Sequence, residues 1–144
     1  MVPLPSMVLH GSAVAVNGRA VLIIGASGSG KSALALEMMA RGAVLVADDQ
    51  VRLNPHGNGV VLTCPKPIAG MIEARGVGLI RAEHVSDIPL ALVVDLDQSE
   101  TERMPPERSI TYLGIRFPLI HNVAHRHFPA ALIQYLNSVE RVDE

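Results

Sequence analysis

Residues 20–32 read AVLIIGASGSGKS, and the fold follows from them. Ala20 to Ile24 are apolar and largely β-branched, as a strand buried on both faces requires. Gly25, Gly30, Lys31 and Ser32 fill every fixed position of the phosphate-loop pattern G-x-x-x-x-G-K-[ST], with Ala26, Ser27, Gly28 and Ser29 between. The stretch after it, Ala33 to Arg41, reads as a helix, so the loop lies between strand and helix. Such a loop wraps a polyphosphate with its backbone N–H groups, and the helix N-terminus adds partial positive charge. Lys31 is placed to reach the β- and γ-phosphates of ATP, and the Ser32 hydroxyl to ligate Mg²⁺.

Working outward, Met7 to Leu9 and Ala13 to Val16 are expected strands, and Asn17-Gly18 is a hairpin turn leading into the loop's own strand. Leu34, Ala35, Met38 and Met39 share a helical face, and Gly42 is the expected helix stop. Ala43 to Asp49 reads as an apolar strand ending in two carboxylates, Asp48 and Asp49. Leu90 to Leu96 reads as a second strand with acids at its end, Asp95 and Asp97. Either pair resembles the metal-holding strand of a phosphate-loop ATPase. Neighbours on a strand face opposite ways, so Asp48 and Asp49 are expected to have different tasks. Val51 to Leu53 and Val60 to Thr63 suggest a hairpin, 68–73 a short helix, and 97–108 a mobile loop. Ser109 to Leu113 and Ile115 to Leu119 are expected strands, with a helix from about Asn122. Glu73 gains interest from its neighbours Arg75, Gly76 and Gly78, because glycine permits close ligand approach.

The totals limit the function. A chain of 144 residues fits one α/β domain with a central mixed sheet flanked by helices. A formal charge of −2 and 3% aromatic residues argue against a nucleic-acid partner. The single cysteine, Cys64, precludes an intrachain disulfide. The opening residues lack a signal-peptide pattern, and no apolar run approaches the roughly 20 residues of a membrane helix. A cytoplasmic location is therefore expected. His121 and His125 would share a face if helical, but no carboxylate or cysteine stands close in sequence to complete a metal site with them or His127. Val142 to Glu144 are expected to fray.

Four features occur together: a phosphate loop, a double acid whose Asp49 follows Lys31 by eighteen positions, the segment IEARGVGLI at 72–80, and His10 twenty-one positions before Lys31. With them the chain resembles the catalytic domain of the bacterial HPr kinase/phosphorylase family, over residues 9 to about 81. The resemblance implies ATP- and Mg²⁺-dependent phosphorylation of a serine on the small phosphocarrier protein HPr, reversed in many members by phosphorolysis. It makes Lys31 the phosphate-binding lysine, Ser32 and Glu73 Mg²⁺ ligands, and Asp49 the proton acceptor. His10 is similar to the family's active-site histidine, and Arg103 to an arginine used in dephosphorylation. The resemblance also implies a hexamer. Typical members carry an additional N-terminal domain, so this chain is expected to be either a short form or a truncated piece of the family, with one domain over 1–144. They also carry a Pro-Gly-Arg-Asn segment tied to phosphorolysis. Here the region reads Phe117-Pro118-Leu119-Ile120-His121-Asn122, without the Gly-Arg step. A small-molecule kinase or NTPase, and a nucleotide sensor, are the alternatives on the same scaffold.

Overall fold

The computed structural model describes residues 5–142, and of residues 139–142 the backbone alone. Its strands are β1 (Met7–His10), β2 (Ser12–Val16), β3 (Arg19–Ile24), β4 (Val44–Ala47), β5 (Gln50–His56), β6 (Gly59–Thr63), β7 (Met71–Ala74), β8 (Gly78–Arg81), β9 (Ile88–Ser99), β10 (Ser109–Tyr112) and β11 (Ile115–Asn122). Two helices accompany them, α1 (Lys31–Met39) and α2 (Phe128–Val142).

Nine strands form one curled mixed sheet in the order β1-β5-β6-β9-β3-β2-β4, with β11 also on β9 and β10 on β11. β3 runs parallel to β9, with Ile24 opposite Asp95, and antiparallel to β2 through the Asn17-Gly18 turn. Asn17 and Gly18 both have positive φ, as a tight hairpin between right-twisted strands demands. The phosphate-loop strand is thus central, and β2 separates it from β4.

Both faces of the centre are buried, which is why β2, β3 and β9 read as continuous apolar runs. On one face Val14, Val16, Val21, Ile23, Leu92 and Val94 pack against Leu34, Ala35 and Met38 of α1 and Phe128, Leu132 and Leu136 of α2. On the other, Ala13, Ala15, Ala20, Leu22 and Val93 meet Val51, Leu53, Leu62 and Phe117, contributed by the curled part of the sheet. Alternate residues of one strand therefore serve two cores.

Several boundaries differ from the sequence expectation. The expected helix over 68–73 is instead a turn of 3₁₀ helix over Lys66–Ile68 followed by β7. Ile72 and Ala74 are buried while Glu73 is exposed, a period of two that the short apolar run did not announce. β8 is exposed along its whole length and, among the described residues, pairs with β7 alone. The loop expected from Asp97 begins after Ser99, because β9 extends to that residue. The helix expected from Asn122 starts at Phe128: β11 keeps its pairing with β9 through Asn122, and Pro129 takes the first turn of α2. α1 starts two residues earlier than expected, at Lys31, and Gly42 follows it as its stop, with the Ala43 N–H on the Met38 carbonyl. Val142 closes α2; Asp143 and Glu144, also expected to fray, lie outside the described residues.

Candidate functional site

β3 delivers the chain into the loop Gly25–Gly30, and α1 leaves it at Lys31. No carboxylate stands in the first turn of α1. Among the described residues the N–H groups of Lys31, Ser32 and Ala33 have no acceptor, so they present the open end of a helix to the cavity beside them. Lys31 is only 7% exposed. Its Nζ donates to the carbonyls of Gly25 and Ala26, both at 2.9 Å, which holds the ammonium over the loop.

Asp48 is a hub. It is 5% exposed, and its Oδ1 accepts from the Ser12 and Ser32 hydroxyls, each at 2.6 Å. Its Oδ2 accepts from the Glu73 amide at 3.1 Å. One carboxylate therefore joins β2, the start of α1 and β7. Ser32 gives its proton to Asp48 and keeps its oxygen lone pairs for a cation.

Asp49 turns the other way. The Gln50 N–H donates to the Asp48 carbonyl at 2.9 Å across Asp49, whose φ is +74°. This is a γ-turn of the strained, positive-φ kind. It sends two adjacent acids to different places, as the sequence suggested, although a tight turn past the end of β4 does it and not strand alternation. The Asp49 carbonyl accepts from the Gly11 N–H at 3.1 Å, and the His10 Nε2 lies 3.3 Å from Asp49 Oδ1. Gly11 makes this approach possible, since a Cβ there would stand 2.8 Å from the Ile23 carbonyl oxygen. The His10 and Asp49 side chains are 51% and 68% exposed, so their contact contributes little to stability and leaves both open to a second reactant.

These groups converge on one cavity of about 940 Å³, lined by His10, Lys31, Ser32, Asp48, Asp49 and Glu73. Ser27, Gly28 and Gly30 also line it, whereas Gly25, Ala26 and Ser29 sit behind. Its oxygen donors, Ser32, Glu73 and the Asp48 behind them, suit Mg²⁺, which takes few protein ligands and completes its shell with phosphate and water. Among the described residues no three His, Cys, Asp or Glu side chains are grouped to hold a metal by themselves.

Other expected residues lie elsewhere. Asp97 accepts the Ala26 N–H and Asp95 accepts the Asp97 N–H, so the second acid pair is occupied outside the cavity. Arg103 lines a separate cavity between the 100–108 loop, β11 and α2. His121 lies on β11, not on a helix, and the His125 and His127 rings stack at 5.6 Å. Burial pushes the Cys64 thiol above its ordinary value, which fits a packing residue. Of the two acids the sequence leaves open which faces the phosphates and which holds a loop or the metal's outer shell, and Ser12 carries no sequence expectation. The available signal was a lone hydroxyl heading a strand, SAVAV, that is otherwise apolar.

Fold and site define an α/β protein that brings a helix N-terminus, a lysine, a histidine and the carboxylates of Asp48, Asp49 and Glu73 to one cavity. The chain belongs to the family of the HPr serine kinase C-terminal domain, whose model matches residues 4–108. It is 47% identical over 113 residues to the HPr kinase/phosphorylase of Bordetella pertussis, covering 70% of this chain and 37% of that protein. It is 36% identical over 107 residues to that of Alkaliphilus metalliredigens, covering 69% and 35%. The chain thus spans about a third of the length of these relatives. The solved structure of the Hpr(Ser) kinase/phosphatase from Coxiella burnetii matches with a TM-score of 0.79 at 26% identity, over 95% of this chain and 92% of that one. No helix among the described residues is long and apolar enough to cross a membrane.

Proposed function

We propose that the chain is an ATP- and Mg²⁺-dependent protein serine kinase acting on an HPr-like phosphocarrier protein. The observation that carries the reading is the convergence of His10, Lys31, Ser32, Asp49 and Glu73, chosen by sequence, on one cavity. Phosphoryl transfer asks mainly for positioning and for neutralisation of charge. Lys31 leaves its two carbonyl acceptors for the β- and γ-phosphates, and the open N–H groups at the start of α1 receive phosphate oxygens. A bound Mg²⁺ supplies charge neutralisation, held by Ser32 and Glu73 with Asp48 fixing both. Asp49 takes the proton of the attacking serine hydroxyl, and His10 orients its carboxylate. The exposure of that pair suits a second reactant that is itself a folded protein.

We place the reaction in the cytoplasm, without nucleic acid or membrane. The hexamer is an additional expectation, read by sedimentation. Arg103 and the Phe117 to Asn122 strand give the reverse reaction no support, so phosphorolysis is tested and not assumed.

The test mixes the chain with Mg-ATP and an HPr-type protein and weighs the carrier by mass spectrometry. One phosphate added on serine is expected, with a loss of about 10²- to 10⁴-fold in Asp49→Asn and no detectable transfer in Lys31→Ala. Added inorganic phosphate then tests reversal. A carrier of unchanged mass, with ATP still bound, removes the HPr-kinase reading and leaves a nucleotide sensor or a different substrate.

A further inference from the structure

We infer that Asp97 is a positioning residue for nucleotide binding: it holds the phosphate loop from behind and so sets where Lys31 stands. The inference rests on the loop being a polyphosphate site. Asp97 does not line the cavity, and both its carboxylate oxygens reach the Ala26 N–H, at 2.9 and 3.0 Å. The same Ala26 residue, on its carbonyl side, receives Lys31 Nζ at 2.9 Å and the Ser29 N–H at 3.0 Å. Ala26 therefore links the acid behind the loop to the cation in front of it.

Asp97 is itself fixed. Its N–H donates to Asp95 Oδ1 at 2.9 Å, and Asp95 stands opposite Ile24, the last residue before the loop. The loop has little slack against this end of β9. A Cβ on Gly25 would stand 2.6 Å from Ser29 Oγ and 3.3 Å from Leu96 Cβ. Ser29 Oγ is buried there with no hydrogen-bond partner among the described residues, so this hydroxyl does not anchor the loop in place of Asp97. An N–H held by a carboxylate is a charge-assisted bond, stronger than a neutral one. The negative charge lies behind the loop, apart from the cavity that receives the phosphates.

The probe is a fluorescent ATP analogue with Mg²⁺, titrated without any protein substrate, followed by kinetics with the HPr-type carrier. Asp97→Ala is expected to weaken nucleotide binding about tenfold, the equivalent of one hydrogen bond to a charged group. KM for ATP should rise by a similar factor, while kcat at saturating ATP falls far less. Asp97→Asn keeps the shape and one acceptor oxygen, and it should recover most of the lost affinity. If Asp97→Ala does not fold, Asp97→Asn carries the test, with a dissociation constant between two- and fivefold above that of the unsubstituted chain. Unchanged affinity in the variants, or a loss of kcat at unchanged affinity, overturns the assignment. An unsubstituted chain that binds no nucleotide overturns the reading beneath it as well, and the two failures are thereby told apart.

Discussion

Asp48 and Asp49 are chemically identical neighbours with opposite surroundings. Asp48 is buried under two hydroxyls and an amide, and Asp49 is exposed beside His10. The division comes from one backbone angle, φ of +74° at Asp49. A side chain in that region costs of order 1 kcal/mol, which glycine does not incur. Asp49→Gly is therefore expected to be more stable than Asp49→Asn by up to about 1 kcal/mol, read by urea denaturation. An Asn variant as stable as the Gly variant would remove strain from the account. Lys31 and Ser32 stand out in the sequence by the loop motif alone, whereas His10, Asp49 and Glu73 are singled out by the family resemblance; the structure brings all five to one cavity. The Asp48 hub was not legible. It depends on β2 lying between β3 and β4, so that Ala13 stands opposite Ala47 and Ser12 reaches the acid, and no local pattern encodes that pairing.

Among the elements, the 100–108 loop differs most from its sequence reading. Its prolines and charges suggest mobility, yet Glu100 closes it. The Glu100 carboxylate accepts from Arg108 Nε at 3.1 Å and from its guanidinium NH2 at 3.0 Å, and from the Thr101 and Glu102 amides. The Arg108 guanidinium holds the Glu100 carboxyl below its ordinary value, and the pairing raises Arg108 in turn. A carboxyl lowered by folding contributes stability above its unfolded pKa and loses it as pH falls through the folded one. Hydrogen exchange at the Thr101 and Glu102 amides, corrected for intrinsic rate, should thus stay slow at neutral pH. It should quicken once pH drops below the ordinary glutamate range. Glu100→Gln should exchange fast throughout, and a pH-independent rate in the unsubstituted chain would contradict the closure. Composition concealed this pair because eight positions of loop separate its members. The 68–73 segment misled for the converse reason: its alternation spans too few residues to distinguish a strand from a helical turn.

At the scale of the molecule, two cores share the central strands. The helix-side core closes with α2, whose Leu136 is fully buried. Leu136→Ala is expected to cost about 2–5 kcal/mol in urea denaturation, with nucleotide affinity of the folded fraction retained, because α2 does not line the site cavity. A cost under about 1 kcal/mol would mean that the helix is marginal to the core. The α/β class and the central loop strand were readable from apolar runs and glycine spacing. Strand order was not, because pairing between distant segments leaves no mark in either one.

The contact between Ala26 and Asp97 also has a meaning in time. It joins residues 71 positions apart, and it follows the parallel pairing of β3 with β9. Such closures are slow, since chain entropy is lost before any contact compensates for it. A chain emerging from synthesis carries its whole glycine-lysine motif long before the strand that steadies it exists. Whatever Asp97 adds to the proposed nucleotide site is thus acquired only once β9 has been made and has paired with β3.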